Sequence, residues 1–329
     1  MCIKTYAAYW NNEVRNGSAS GSIFPAIAKY IIEEKHGYVC GCVLDNLDPL
    51  HIVSDKWEDV LRMRDSKYVQ SSVGDCYKII ISLLKRGEYV LFSGTSCQVA
   101  GLTNLVSQLN IDSEKLYTID FFCHGVPSPG IWKKYINLYS EEKKRKVIGY
   151  RFRSKRYGWG GNGRAFKFSV KYQKGKTIKE DDKSLIATIW YSIFFSNICL
   201  RPVCHECSYA SFDKPSDFTI GDFWGIDAVD SSFNDYKGCS LIIARTEKSL
   251  EVIDAMEYLT KKEVTVEDAI ARQKNAFEPC VPHPRREEFF ESVNQNGLKK
   301  ALPLFFSYDF RHRVTCRIKR IQFLFSLKD

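Results

Sequence analysis

The sequence has no apolar run long enough to cross a membrane, since no stretch reaches the roughly 18 consecutive apolar residues that a spanning helix needs. Its first residues, MCIKTYAAYWNNEV, lack the apolar core of a secretory signal peptide. It also has no internal repeat and no low-complexity linker. These absences argue against membrane-spanning, secreted and repeat proteins. They predict a cytoplasmic chain, in which cysteine thiols stay reduced.

The composition is that of a folded protein with an anionic partner. A chain of 329 residues can form one large domain or two ordinary ones. The formal net charge of +9 points to a nucleotide cofactor, an acidic protein or a membrane surface as the partner. Aromatic residues make up 14% of the chain, which suits a protein that stacks flat cofactors, although a bulky core is the simpler explanation.

The order of apolar patterns predicts a mixed α/β fold. In the first half, short apolar runs such as YVLFSG and LYTIDFFCHG alternate with helical patterns such as SCQVAGLTNLVSQL. This alternation predicts a mixed sheet with helices on both faces. The later stretches VIGYRFRSK and AFKFSVKYQKGKTIKE predict an antiparallel segment with Gly175 in its hairpin turn. A helix over SLIATIWYSIFFSN then leads into a cysteine-rich loop.

Three of the twelve cysteines lie within nine positions, as Cys199-x4-Cys204-x2-Cys207 in NICLRPVCHECSYASF. A Cys-x2-Cys turn points two thiolates into one concavity, and a third thiolate nearby closes most of a tetrahedron. In a reducing compartment such a group indicates metal or redox chemistry more than disulfides. The alternative is three ordinary buried cysteines.

The spacing favours an iron–sulfur cluster over zinc. A structural zinc site usually has a second Cys-x2-Cys or a His pair, and this sequence has neither. A 4Fe–4S cluster needs one ligand per iron, and the fourth commonly comes from far away in sequence. A zinc-stabilised module that binds an anionic polymer stays open as an alternative.

Cys123 is the best candidate for the fourth ligand, because it follows the predicted strand TIDFF, at the end where open α/β sheets place their sites. Cys97 is the second candidate. It begins the helix after LFSGT, and a helix N-terminus lowers the pKa of a thiol.

Two short stretches, SASGSIF and FSGTSCQ, place small residues at helix N-termini, where free N–H groups can bind phosphate oxygens. Neither matches a dinucleotide or P-loop motif, so each could be an ordinary helix cap. Between them, Lys67 could neutralise a phosphate or a reduced flavin, or could be a surface lysine. Asp222 and Trp224, in IGDFWG, could shape a flavin or substrate face, or Asp222 could cap a turn. Lys67 and Asp222 are therefore the candidate catalytic residues.

The chain resembles the beta subunit family of coenzyme F-420 hydrogenase and dehydrogenase, in its bacterial branch. The matching stretches run in family order from about residue 5 to residue 245: SASGSIF, KYVQSSVGDCYKIIISLLKRGEYVLFSGTSCQVAGL, DFFCHGVPSP, RFRSKRYGWGG and RPVCHECSYASFDKPSDFTIGDFWGI. The sequence departs from the family pattern at Ser22, where a glycine is usual, and at Ser96, where a proline is usual.

This resemblance implies an iron–sulfur flavoprotein oxidoreductase that carries FAD and a 4Fe–4S cluster. It would pass electrons between the cluster and a deazaflavin or another hydride carrier. The cluster ligands would be Cys199, Cys204, Cys207 and Cys123. The flavin contacts would be Ser20, Gly21, Ser22, Lys67, Tyr68, Gln70, Gly94, Thr95 and Gln98.

The resemblance also implies a domain order and partners. We expect an N-terminal family segment over 1–86 with part of the flavin site, a C-terminal family domain over 87–262 with the cluster, and a peripheral basic tail over 263–329. Many relatives begin with a ferredoxin-like domain, which this chain is expected to lack. A separate ferredoxin-like protein would then be the electron donor or acceptor.

The substrate would be a small redox molecule, with surface-polysaccharide metabolism as one context, and nucleic acid is not expected as a partner. A non-catalytic iron–sulfur electron-transfer or scaffold protein is the alternative to an enzyme. For the end of the tail, RHRVTCRIKRIQFLFSLKD, a helix packed on its own domain is favoured over contact with a membrane surface.

Overall fold

The computed structural model describes residues 3–156, 158–159 and 167–306. The strands in this part of the chain are β1 (Lys4–Trp10), β2 (Tyr38–Asp45), β3 (Asp48–Ser54), β4 (Val90–Ser93), β5 (Leu116–Phe121), β6 (Val147–Ser154), β7 (Lys167–Lys174), β8 (Thr177–Asp181), β9 (Phe218–Asp222), β10 (Ser240–Ala244) and β11 (Leu259–Val264).

The α-helices of the same residues are α1 (Val14–Gly17), α2 (Ile23–Glu33), α3 (Trp57–Met63), α4 (Cys76–Lys85), α5 (Ser96–Gln108), α6 (Pro129–Lys143), α7 (Leu185–Phe195), α8 (Ile226–Val229), α9 (Glu247–Ala255), α10 (Val266–Ile270), α11 (Arg286–Asn296) and α12 (Leu298–Phe305). Short 3-10 helices cover Pro202–Glu206, Ser231–Phe233 and Lys274–Ala276.

The chain divides into two compact units whose segments interleave. The first unit comprises the described residues of Met1–Lys67, Ser71–His124 and Glu206–Pro279. The second comprises those of Tyr68–Gln70, Gly125–His205 and Cys280–Asp329. Consequently the chain leaves the first unit after His124 and returns to it at Glu206.

The first unit contains an eight-stranded mixed sheet in the order β11-β1-β10-β9-β5-β4-β2-β3. Strands β2, β4, β5 and β9 are parallel, and β10 is antiparallel to both β9 and β1. Because β10 is antiparallel to both of its neighbours, β1 and β9 run in the same direction. The carboxyl ends of β1, β2, β4, β5 and β9 therefore lie at one edge of the sheet.

Helices cover both faces of this sheet, because side chains alternate along each strand. In β4, Leu91 packs with residues of α2, α3 and α9, such as Ile27. Its neighbours Val90 and Phe92 point the other way and pack with residues of α4 and α5, such as Leu102. Burying a side chain of this size contributes about 1.5–3 kcal/mol. The predicted mixed sheet with helices on both faces is confirmed.

The second unit contains a three-stranded antiparallel sheet in the order β6-β7-β8. Gly175 lies in the turn between β7 and β8 with φ +60°, as expected of a glycine in that hairpin. Helices α6 and α7 contribute Trp132 and Trp190, whose ring centroids lie 4.9 Å apart in a cluster of buried aromatic side chains. The aromatic residues of this unit thus form its core.

Several elements were not expected from the sequence, namely the edge strand β11 and the helices α1, α3, α8, α10, α11 and α12. The strand β11 has the sequence LTKKEV, and exposed residues do not alternate regularly with buried or half-buried ones along it. No helix of the described residues is long and apolar enough to cross a membrane. The predicted basic end of the tail, residues 311–329, lies outside the described residues, as does part of the glycine-rich stretch GWGGNG.

Candidate functional site

Four segments with predicted site residues follow strands of the first unit at the carboxyl edge of its sheet. Ser20–Ser22 lie in the connection from β1 to α2, and Gly94 and Thr95 lie between β4 and α5. Cys123 lies two residues after β5, and Asp222 ends β9. Ligand sites of open α/β sheets form at this edge. The topology therefore brings these four segments of the sequence to one side of the unit.

The loop over Ser20–Ser22 is packed tightly against β1 and β10. The Ser20 hydroxyl donates to the Cys239 carbonyl at 2.7 Å, and the Gly21 N–H donates to the Ser240 hydroxyl at 2.9 Å. A Cβ atom at Gly21 would lie 2.5 Å from the Ala8 carbonyl oxygen. Glycine is required here because the two backbones approach too closely for any side chain.

Ser22 adopts a left-handed backbone conformation, with φ 72° and ψ 31°. The left-handed region disfavours a residue with a Cβ. The Ser22 hydroxyl lies 3.0 Å from that of Ser18. Ser22 is the N-cap residue of α2, although its side chain makes no capping hydrogen bond.

In the second loop, Gln98 stabilises the start of α5. Its Oε1 accepts from the Thr95 N–H at 3.0 Å, and its Nε2 donates to the Ser71 hydroxyl at 3.0 Å. A Cβ atom at Gly94 would lie 2.9 Å from the Phe92 ring. Thr95 and Gln98 together form a capping box at the start of α5. Three of the predicted flavin residues, Gly94, Thr95 and Gln98, therefore also shape the connection from β4 to α5.

Lys67 is directed at the end of α3. Its ammonium donates to the carbonyl groups of Met63 at 2.6 Å and Arg64 at 2.8 Å, where the helix leaves acceptors unsatisfied. Burial lowers the pKa of Lys67, and the nearby Cys42 thiol opposes that shift. Lys67 is thus a half-buried residue whose ammonium group binds the carbonyl groups at the C-terminus of α3.

Tyr68 and Gln70 belong to the second unit, whereas the other predicted flavin residues belong to the first. The Tyr68 ring stacks on Phe194 with centroids 4.5 Å apart, and its hydroxyl accepts from Arg153 Nη1 at 3.1 Å. Trp190 donates from its indole nitrogen to the Tyr68 carbonyl at 3.3 Å. Tyr68 is therefore held by aromatic and polar contacts within its own unit.

The second unit also holds Cys199 and Cys204, the first two cysteines of the motif. The segment around Pro127 forms an antiparallel bridge with Leu200, and the Ser128 N–H donates to the Cys199 carbonyl at 2.8 Å. The Val126 N–H donates to the Cys204 sulfur at 3.5 Å. The structure thus supplies the Cys204 sulfur with a backbone N–H group of the kind expected for a thiolate ligand.

The two motif cysteines of the second unit lie in different surroundings. Cys199 is fully buried, and this burial raises the pKa of its thiol to about 12. Gly125 has φ +125°, and a Cβ atom there would lie 2.9 Å from Leu200 and 3.3 Å from the Cys204 Cβ. The glycine therefore lets the chain pass close to the cysteine loop.

The first unit holds the other two expected ligands, Cys123 and Cys207, together with Lys214. Burial lowers the pKa of Lys214, and Asp120, Cys123 and Cys207 each oppose that shift electrostatically. Both cysteines therefore lie close enough to one ammonium group to interact with it. The Cys97 sulfur lies 3.1 Å from the Thr95 hydroxyl, and the Cys97 side chain is exposed.

Each unit contains two of the four expected cluster ligands. Among the described residues, no group of three or more His, Cys, Asp or Glu side chains is arranged to hold a metal ion.

Asp222 accepts at its backbone carbonyl from Gln273 Nε2 at 2.5 Å and from the Trp224 N–H at 3.0 Å. The roles predicted for these residues therefore stay predictions.

Three polar or glycine residues around the cysteines were not predicted, namely Asp120, Gly125 and Lys214. Asp120 is fully buried on β5 and accepts from the Thr219 hydroxyl at 2.7 Å. A charged residue inside the apolar run LYTIDFF is the sequence signal that could have identified it, since carboxylates are rarely fully buried without a partner. Lys214 carries no comparable signal, because isolated lysines are usually exposed.

The comparisons with known proteins agree with this architecture. Residues 87–270, more than half of the chain, match the family that is described as the C terminus of the beta subunit of coenzyme F420 hydrogenase/dehydrogenase. The chain belongs to this family, which gives it a redox role of the hydrogenase or dehydrogenase beta-subunit kind. None of the curated proteins compared matches it.

Among solved structures, the chain is similar in fold to a chain of the F420-reducing [NiFe] hydrogenase complex from Methanosarcina barkeri. The two are 16% identical, the match covers 94% of each chain, and the TM-score is 0.51. At this level of identity the match describes the fold alone.

Proposed function

We propose that this chain is an iron–sulfur flavoprotein oxidoreductase that passes electrons between a 4Fe–4S cluster, FAD and a hydride-accepting substrate. Cys199, Cys204, Cys207 and Cys123 would hold the cluster. The proposal rests on the family and on the contacts of these cysteines within each unit.

One observation supports the choice of ligands most directly: Cys123 and Cys207, which are distant in sequence, both interact with the half-buried Lys214 ammonium. Cys204 in turn follows the first cysteine by five positions and receives the Val126 N–H. Four thiols are the donor set that a 4Fe–4S cluster requires. The residues present therefore suit this group better than zinc, for which the sequence has no second cysteine pair.

The residues around the cysteines would stabilise negative charge on sulfur and keep water away. The Val126 N–H places a partial positive charge at the Cys204 sulfur, and Lys214 places a full one near Cys123 and Cys207. Full burial of Cys199 excludes solvent on its side. When bound, a 4Fe–4S cluster supplies single-electron transfer, and FAD supplies the step between one electron and a hydride.

We place FAD with the loops at the carboxyl edge of the first unit's sheet, with Ser20, Gly21, Ser22, Gly94, Thr95 and Gln98. Lys67, Tyr68 and Gln70 complete the proposed set. In the structure, Gly21, Gln98 and Lys67 already bond within the protein, so their part in FAD binding would be to fix the shape of the loops. Lys67 and Asp222 stay the candidate catalytic residues.

The proposed substrate is a deazaflavin or another hydride carrier, and surface-polysaccharide metabolism is the context in which we would seek it. The proposed partner is a ferredoxin-like electron donor or acceptor. The formal net charge of +9 supports this, since small electron-transfer proteins of that type are usually acidic.

The test is anaerobic purification followed by measurement of iron, acid-labile sulfide, zinc and flavin. We expect about four iron and about four sulfide per chain, the composition of one 4Fe–4S cluster, together with bound FAD. A cluster without flavin would indicate the non-catalytic electron-transfer protein. One zinc with no sulfide would indicate the anion-binding module and contradict the proposal.

A further inference from the structure

The ammonium group of Lys214 joins three segments of the first unit, each of which carries a cysteine. It donates to the Tyr209 carbonyl, two residues after Cys207, and to the Ser96 hydroxyl at 3.3 Å, next to Cys97. It also lies over the Phe122 ring, 5.4 Å from the centroid, next to Cys123. These contacts connect residues that are distant in sequence through a single side chain.

The charges around Lys214 leave an excess of positive charge. The buried Arg245 side chain is connected to Asp120 through one hydroxyl group. Its Nε donates to the Thr219 hydroxyl, which in turn donates to Asp120. Asp120 faces both cations, and Asp213 acts on Arg245 as well. Asp213 is exposed, so its charge is largely screened by solvent. The half-buried Lys214 and the buried Arg245 therefore face one buried carboxylate, that of Asp120.

We infer that Lys214 is a positioning residue for the cluster: it holds the Cys207 and Cys123 segments in place and raises the reduction potential of the cluster that they bind. This inference rests on the proposed function, because it needs a cluster at these cysteines. The inference goes further in that it assigns a role to a residue outside the ligand set.

The physical reason is electrostatic. Reduction of the cluster by one electron, supplied by an external reductant such as dithionite, adds one negative charge at the sulfur ligands. A fixed positive charge stabilises this reduced state more than the oxidised state, and the effect is strong where water is excluded. Removing the ammonium while keeping the length of the side chain should therefore make reduction less favourable.

The experiment compares wild type, Lys214→Met and Lys214→Arg in redox titrations followed by electron paramagnetic resonance. We expect Lys214→Met to lower the ratio of reduced to oxidised cluster about tenfold at a fixed ambient potential, which is about 59 mV for one electron. Lys214→Arg keeps the charge and should stay closer to wild type. Lys261→Met is the matched control, since Lys261 also donates to a carbonyl group of the first unit, that of Ile253.

A second measurement uses the metal-free, reduced full chain, so it does not depend on the cluster. Lys214→Met should increase hydrogen exchange in peptides that cover 94–98, 119–124 and 207–211, and Lys261→Met should not. If wild type binds no iron, the proposed function fails, while unchanged exchange in Lys214→Met overturns the positioning role itself.

Three results would overturn the inference where the cluster is present. They are an unchanged potential in Lys214→Met at full iron content, a shift of equal size in Lys261→Met, and loss of iron in Lys214→Arg as well as in Lys214→Met. In the last case the charge would not be the property that matters.

Discussion

The Val126 backbone N–H donates to the Cys204 sulfur at 3.5 Å. This bond exists because the chain makes a sharp turn at Gly125 and then runs beside Leu200. The segment that follows Cys123 thus reaches the loop that carries Cys204, within the second unit.

The first prediction concerns Gly125. An added Cβ would meet Leu200 at 2.9 Å, at a φ of +125° that L residues rarely adopt, so Gly125→Ala should destabilise the protein by about 1–3 kcal/mol. Iron content should fall with it. Gly130→Ala is the control, because Gly130 is exposed in α6 with nothing closer than 3.6 Å. Because Gly130 lies in the first turn of the helix, this exposed change should alter stability by no more than about 0.5 kcal/mol. Chemical denaturation with iron analysis measures both, and equal behaviour of the two variants would refute the prediction.

The second prediction separates the two candidates for the fourth ligand. Cys123→Ser should lose or convert the cluster, because Cys123 shares the Lys214 ammonium with Cys207. Cys97→Ser should keep it, because the exposed Cys97 contacts Thr95 instead. Iron, sulfide and the visible spectrum of anaerobically purified variants decide the matter. Full cluster content in Cys123→Ser with loss in Cys97→Ser would reverse the assignment.

The third prediction concerns the loop at Ser20–Ser22. Gly21→Ala places a Cβ 2.5 Å from the Ala8 carbonyl oxygen, which must push β1 and the loop apart. We expect a loss of about 1–3 kcal/mol in the free energy of unfolding. Gly101→Ala, in α5 with no atom closer than 3.5 Å, should instead stabilise by about 0.5–1 kcal/mol. Thermal or urea unfolding is the measurement, and a neutral Gly21→Ala would show that the loop is not tightly packed.

The fourth prediction concerns the electron partner. Lys144, Arg145 and Lys146 form an exposed basic run after α6. Reversing their charge to glutamate should slow reduction by an acidic ferredoxin and leave bound flavin unchanged. Added salt should slow the wild type in the same way, because the screening length falls from about 10 Å at 0.1 M to about 3 Å at 1 M. Lys85→Glu, an exposed lysine on α4, is the control.

Stopped-flow rates at several salt concentrations test this fourth prediction. Rapid reduction of the flavin by NADH alone, without a partner and without salt dependence, would contradict it. Equal slowing in the Lys85→Glu control would show that net charge matters rather than this particular run.

Much of the fold could be predicted from the sequence, because its strands and helices have clear apolar periods. The run YVLFSG became β4, and the helix after it begins at Ser96 with a capping box. The strand β11 could not be predicted, since LTKKEV is mostly polar and is held as an edge strand by pairing with β1. Such pairing depends on tertiary structure, which local propensity does not encode.

The candidate site could be predicted only in part, for a similar reason. The Cys-x2-Cys spacing is local and visible in the sequence, and so are the glycines of the loops. The contacts of Lys214 with Tyr209, Ser96 and Phe122 are not visible in the sequence, because they join segments that are far apart in the chain. The close approach that excludes a side chain at Gly21 likewise depends on β10, more than two hundred positions later in the chain.

The interleaved order of the two units has a consequence for how the protein is made. The central strands β5 and β9 are neighbours in the sheet, yet Asp120 and Thr219, which bond across them, are 99 positions apart. During synthesis β5 emerges long before its partner, and closing so long a loop slows folding. A product that ends before β9 would expose the edge of β5 and the apolar faces beside it. Such a fragment should aggregate, so a chain that is to be expressed in folded form should extend through β11.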